Sequence, residues 1–355
     1  MDKYRIDSHK LMYHVSRVKE WLDGDLIYPV YMEISPSGTC NHRCIYCGLD
    51  YMKYQKRYID TSILKERLAE LGNLGLKSVM YAGEGEPLMH KDISDIIYHT
   101  NKSGIDVAIT TNGVLLNEGL SEKILGYVEW IKVSVDASTG ETYANIHRAK
   151  PSDFNTVIKN MSLAVQIKKR NGYKCVLGMQ FLLLPENQHE AVLLAEIARD
   201  IGMDYLVIKP YSQHLFSKTD KYRNIKYKDY EQIADKLSLL NTKEFNVVFR
   251  ISTMNKWDQS VRSYENCLVL PFWSYIDSGG NVWGCSAYLS DDRFLYGNIN
   301  ENSFKEIWEG EKRRKSLRWV ESELDPGQCR VNCRMDEANM YLWDLKNLPE
   351  HVNFV

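Results

Sequence analysis

The sequence has no apolar stretch approaching the roughly 20 residues that a membrane-spanning helix needs. Residues 1–28 lack the apolar centre of a signal peptide. A strong net charge is missing too, because 45 Lys and Arg stand against 47 Asp and Glu, a formal balance of -2. Such a balance excludes the excess of basic residues that marks a nucleic-acid-binding chain. The one basic run, Lys312-Arg313-Arg314-Lys315, falls within an expected helix and reads as a solvated face. We find no internal repeat and no low-complexity segment. These absences lead us to expect a cytoplasmic protein with no nucleic-acid and no membrane partner. Its 355 residues suffice for one large domain or two modest ones.

What the chain does have is cysteine, eight in all, and seven of them fall into two groups. In the cytoplasm such groups are better explained by metal than by disulfides. The first group lies in "CNHRCIYCGLDY" (40–51), as Cys40, Cys44 and Cys47. A structural zinc site normally closes with four ligands and a disulfide needs two. Three thiolates on one short loop suit a metal centre with a position left open for chemistry; a zinc half-site is the other reading of the triplet alone. The second group is Cys267, Cys285, Cys329 and Cys333. By count alone, four thiols also fit a structural zinc site. Cys175, at the start of an apolar strand, reads as a buried small hydrophobe.

From residue 29 onward, apolar runs alternate with helical periodicity. Residues 28–35, 77–83, 106–113, 130–137, 175–184 and 205–210 read as strands, with helices over 61–75, 93–104 and 153–172 between them. Strands joined by crossover helices make a parallel sheet. The pattern predicts an α/β fold, an open partial (β/α)6 barrel, preceded by an amphipathic helix that ends near Gly24. Past residue 225 the pattern changes to a helix (227–240), a strand (245–252) and an aromatic, turn-rich segment. "FWSYIDSGGNVWGCSA" is a hairpin candidate turning at Asp277-Ser278-Gly279-Gly280, able to bring Cys267 and Cys285 together. Ser303 and Glu306 predict a capping box. We divide the chain into an N-terminal helical extension (1–28), the barrel (29–225), a connecting segment (226–265) and a small α+β domain (266–355).

CxxxCxxC directly after the first strand of a β/α array resembles the signature of the radical S-adenosylmethionine (radical SAM) superfamily. The resemblance implies that Cys40, Cys44 and Cys47 hold three irons of a [4Fe-4S] cluster, the fourth iron taking the amino and carboxylate groups of S-adenosylmethionine. Further matches follow in the family's order. Tyr46 stands at the aromatic position that packs against adenine. "GEGEP" (83–87), alone a mere polar strand exit, matches the glycine-glutamate-proline element with one residue more than the commonest form. There Gly85 would allow close backbone approach and Glu86 would accept from the cofactor ammonium. "TTNG" (110–113), with Thr111 and Asn112, ends the third strand. Ser134 and Asp136 end the fourth on one face and would meet ribose hydroxyls. Arg148 would clamp a carboxylate. The resemblance covers residues 29–215.

The second group, with "GNINENSFKEIW" between its members, is similar to the auxiliary-cluster domains called SPASM and twitch. A full SPASM domain carries seven cysteines; four match the twitch type, which implies one auxiliary [4Fe-4S] cluster held on every iron. Such a cluster suits electron transfer. The implied reaction begins with reductive cleavage of S-adenosylmethionine to a 5'-deoxyadenosyl radical, fed by a flavodoxin or ferredoxin-type donor. The radical then takes hydrogen from a carbohydrate-like small molecule, and dehydrogenation of a secondary alcohol follows, as in the aminocyclitol dehydrogenase subgroup. Epimerisation, which needs a thiol donor, and SPASM-type peptide modification are the alternatives. Candidate substrate contacts are Gln180 in mid-strand and Lys209, Tyr211, Gln213 and His214 beyond the sixth strand.

Overall fold

The computed structural model describes residues 4–6, 8–259 and 262–354. Positions 1–3 and 7 of the N-terminal extension, 260–261 of the connecting segment and 355 lie outside the described residues. One sheet organises the chain. Its strands are β1 (Tyr31–Ile34), β2 (Ser78–Tyr81), β3 (Asp106–Thr111), β4 (Trp130–Ser134), β5 (Val176–Leu183), β6 (Tyr205–Pro210), β7 (Asn246–Phe249), β8 (Trp273–Ile276), β9 (Asn281–Trp283) and β10 (Leu295–Asn298). The order is β10-β9-β8-β1-β2-β3-β4-β5-β6-β7. Every pair from β1 to β7 is parallel, as the crossover pattern requires.

The six expected strands are β1 to β6. Two features differ from the expectation. The strand expected over 245–252 is shorter, a helix beginning at Ile251, and it extends the parallel sheet as β7 beside β6. On the other side β8 pairs parallel with β1, so the sheet runs unbroken into the C-terminal segment. Long-range pairing of this kind leaves no periodicity signal in the strands themselves.

The faces of the sheet follow from period-two alternation. Ile34, Tyr81, Ile109, Ile131 and Leu177 lie in register and pack against helical residues such as Leu64, Leu68, Ile97 and Met161. Glu33, Thr110, Lys132, Ser134, Gln180 and Lys209 occupy the opposite, inner face. Helix Thr61–Asn73 forms because Asp60 accepts from the N–H groups of Ser62 and Ile63 at 2.9 Å, and Leu64, Leu68 and Leu71 recur at helical spacing. Helix Pro151–Asn171 starts on proline and stops at Gly172 with φ 66°. The N-terminal helix is Val15–Leu22, and Gly24 follows with φ 88°.

The hairpin forms as β8 and β9. Asp277 stabilises its turn, accepting from Gly279 N at 2.8 Å, Asn281 N at 3.1 Å and the Trp283 indole at 2.9 Å. The capping box at Ser303 and Glu306 is present. The reading of the basic run needs correction. Lys312, Arg314 and Lys315 are exposed, but Arg313 is buried, with its guanidinium 3.8 Å from the Trp308 ring centroid and a bond to the Trp308 carbonyl at 3.2 Å. Cation–π contact with a buried aromatic offsets the cost of that charge.

Candidate active site

The carboxyl ends of β1 to β4 assemble the first site. The loop after β1 carries Cys40, Cys44 and Cys47, all free thiols. Cys40 Sγ accepts from His42 N at 3.4 Å. Burial lifts the Cys40 thiol to about 11 and pushes Cys44 and Cys47 upward as well. Three clustered thiolates are therefore unfavourable here unless a cation joins them, which is the donor chemistry an iron–sulfur cluster needs.

Glu86 follows β2 and is buried. It accepts from Thr111 Oγ1 at 2.5 Å, Asn112 N at 2.8 Å and Leu88 N at 3.1 Å. Burial pushes its carboxyl up to about 7. Gly85 is required by space, because a Cβ there would lie 2.3 Å from the carbonyl oxygens of Ser37 and Thr39. Asn112 Nδ2 reaches Asn41 Oδ1 at 2.6 Å, tying β3 to the cysteine loop. Glu84, the extra residue of "GEGEP", accepts from Ser278 N at 2.7 Å and from Arg57 at 3.3 Å.

Beyond β4 the expected alternation breaks. Ser134 stays in register and its hydroxyl meets Gln180 Nε2 at 3.2 Å. Asp136 instead has a left-handed backbone, φ 57°. One of its oxygens accepts from the Tyr46 hydroxyl and the other from Leu182 N at 2.5 Å. The carboxylate expected at the ribose thus holds Tyr46 and the β5 backbone. Arg148 is exposed, also left-handed at φ 48°, and ends helix Gly140–His147.

His42 and His147 belong to this site although the sequence reading passed over them. Their ring nitrogens and Cys44 Sγ lie within 4.8 Å of one another. His147 Nε2 faces the Val135 carbonyl at 2.8 Å, so it carries the proton, and Nδ1 faces Cys44 Sγ at 3.1 Å. Burial lowers both imidazoles to about 4. His42 lies inside the CxxxCxxC motif; His147 lies 103 residues from Cys44, with only its adjacency to Arg148 as a signal.

Among the substrate candidates, Lys209 and Gln180 face inward. Alternation does not carry Tyr211 and Gln213 onto that face, because β6 ends at Pro210. Tyr211 is buried against Tyr222 and Trp257, and its hydroxyl donates to Gln213 Oε1 at 3.0 Å. His214 stacks on Tyr51 and faces the Ser286 carbonyl at 3.4 Å. These residues join the strand end to the C-terminal segment.

That segment gathers the second thiol group. Cys267 and Cys285, at the two ends of the hairpin, pack in the same two apolar clusters, and all four thiols are free. Burial raises each, and Cys267 and Cys285 are raised further by the charges of the others. The Tyr288 hydroxyl meets Cys329 Sγ at 3.1 Å, and Ala287 N donates to Cys285 Sγ at 3.4 Å. Arg262 supports the last loop through the carbonyls of Cys329 and Arg330, at 3.3 and 2.5 Å. Four thiolates in one half-buried place again call for a cationic centre.

Comparison with known proteins agrees with this geometry. Residues 34–198 match the Radical SAM superfamily and residues 267–334 match SPASM, an iron-sulfur cluster-binding domain. An AdoMet-dependent heme synthase of Methanosarcina barkeri is 24% identical over 323 residues, 84% of this chain and 85% of that one. Streptococcus suis SuiB bound to its precursor peptide SuiA superposes with a TM-score of 0.67 at 18% identity, covering 94% of this chain and 76% of that chain. Native anSMEcpe with bound AdoMet gives 0.61 at 17% identity, covering 92% and 98%. At such identities the two structures speak for the fold. The radical SAM domain binds S-adenosylmethionine and a [4Fe-4S] cluster, and the SPASM domain binds auxiliary iron–sulfur clusters. Fold, thiol placement and domain matches together identify the chain as a member of the radical SAM superfamily with a SPASM-type iron–sulfur domain.

Proposed function

We propose that this enzyme dehydrogenates a secondary alcohol on a carbohydrate-like small molecule, with the auxiliary centre as electron acceptor and a flavodoxin or ferredoxin-type protein as donor. The observation that carries this reading is the second site: four thiols converge there, so a cluster would be ligated on every iron and left with electron transfer as its task. When bound, S-adenosylmethionine and the first cluster supply a radical able to abstract hydrogen. Around them the chain's own residues position. Glu86 awaits an ammonium, Asn112 braces the cysteine loop, and Asp136 fixes Tyr46. The inner ends of β4 to β6 offer Ser134, Gln180 and Lys209 to a polar substrate.

Epimerisation finds less support, because it needs a thiol on the substrate side. Cys175 is buried and continues the row of Leu177 and Met179, opposite to Gln180. A Cys329→Ala/Cys333→Ala variant tests the reading. With substrate it should form 5'-deoxyadenosine but little oxidised product. A product of unchanged mass carrying solvent deuterium at one carbon would replace oxidation by epimerisation.

A further inference from the structure

The inner face of the sheet concentrates positive charge that the cofactor assignment does not use. Lys132 lies on β4 one inward position before Ser134, hence below the strand ends that form the cofactor site. Its register partner on β5 is Gly178, where a Cβ would fall 2.1 Å from the Tyr205 ring. The lysine therefore has no side-chain neighbour directly across on β5. Lys209 stands on the same face of β6, opposite Leu182. Both lysines are half-buried, and neither has an ion pair or hydrogen bond among the described residues. The ring of Trp130 lies 5.7 Å from the Lys132 ammonium.

Arg330 brings a third charge to the same place from the auxiliary-site loop. It is half-buried and spends its donors on neutral acceptors, the Ser212 hydroxyl at 2.7 Å and the Ser212 carbonyl at 3.2 Å. Its neighbour Arg334, in contrast, is neutralised by Glu33. Arg330 also lines a cavity of about 410 Å³ with Gln213, His214, Arg223 and Lys226, and that lining contains no acidic residue. The concentration is local, since the whole chain carries a formal charge of -2.

Like charges held close oppose one another. Burial and then the neighbouring cations push Lys132 down to about 7 and lower Lys209, although Glu33 opposes the fall at Lys132 and Asp136 opposes it at Lys209. Such a cluster is costly unless an anion completes it. Arginine and lysine together are the usual recognition set for phosphate or carboxylate oxygens.

We propose that the substrate carries an anionic group, a phosphate or a carboxylate, which Lys132, Lys209 and Arg330 hold beneath the cofactor. This deepens the reading above and rests on it for the location of the substrate.

Calorimetric titration of the anaerobically reconstituted, unreduced protein tests the inference, with S-adenosylmethionine saturating so that its own site is filled. The probes are glucose, glucose 6-phosphate, glucuronate and inorganic phosphate. A charged sugar should bind at least ~10-fold more tightly than glucose, and Lys132→Met and Lys209→Met should each remove most of that advantage while cofactor binding is kept. A preference for glucose 6-phosphate names phosphate; a preference for glucuronate names carboxylate. Lysine-dependent binding of inorganic phosphate, with no gain from either sugar, would uphold the anion site and remove the carbohydrate reading. Charged and neutral probes that titrate alike, or a preference surviving both substitutions, would overturn the inference. Should Lys132→Met not fold, Lys209→Gln alone must lose the preference.

Discussion

Glu84 accepts a hydrogen bond from the backbone of Ser278 at 2.7 Å across 194 residues of sequence. The turn of the C-terminal hairpin is thereby fastened to the loop that carries Glu86. Arg57 closes the arrangement, donating to Glu84 at 3.3 Å and to the Ser278 hydroxyl at 2.9 Å.

Replacing Glu84 by alanine leaves the Ser278 N–H without its acceptor and leaves Arg57 to the more distant Asp277 carboxylate at 3.8 Å. We expect a stability loss of about 1.5–3 kcal/mol, the range for a hydrogen bond to a charged group. Urea denaturation under anaerobic conditions measures it. Iron content should stay at the parent value, because no cysteine is moved.

The two thiol groups predict the metal content. Seven cysteines divided three and four should hold about eight irons as two cubane clusters. Changing Cys40, Cys44 and Cys47 together to alanine should leave about four and abolish 5'-deoxyadenosine. Zinc in the C-terminal site of anaerobically purified protein would contradict the assignment.

Glu86 sets a pH dependence of known sign. Its carboxyl is raised from 4.5 to about 7, chiefly by burial. In the cofactor-free protein its stabilising contribution is full below about 4.5 and is lost as pH rises through about 7. The cofactor ammonium needs the ionised form, so affinity should rise as pH increases through about 7 and then level off. Glu86→Gln should flatten both profiles and weaken binding by roughly 1.5–3 kcal/mol. Calorimetry at pH values on both sides of 7 distinguishes these outcomes.

Gly85→Ala tests the space beside that carboxylate. The new Cβ would meet two backbone oxygens at 2.3 Å, and backbone cannot yield as a flexible side chain can. Displacement of the loop should cost about 1–3 kcal/mol of stability, and cofactor affinity should fall with it. An affinity equal to the parent's would show that the loop relaxes without disturbing Glu86.

What the sequence made legible is what local pattern encodes. The cysteine spacings, the order of strands and crossover helices, and the Asp277 turn all express short-range chemistry. Asp136 departs from period-two alternation because the strand ends at Ser134 and the backbone turns left-handed. Alternation likewise stops at Pro210, so it does not fix the face of Tyr211 and Gln213. Lys132 could have been found, since it precedes Ser134 by two on the same strand, but its lack of a partner is visible only in three dimensions. His147 beside Cys44 and β8 beside β1 are long-range contacts without a local signature.

The pairing of β8 with β1 has a consequence for the timing of the reaction. The loop bearing Cys40 leaves one strand of this pair, and the hairpin bearing Cys285 continues from the other. The spacing between the two metal sites is therefore written into a ladder of backbone hydrogen bonds instead of being left to a tether. On the dehydrogenation we propose, an electron released at the substrate would not wait for one half of the protein to find the other, and the interval in which a reactive organic species stands unquenched would be kept short.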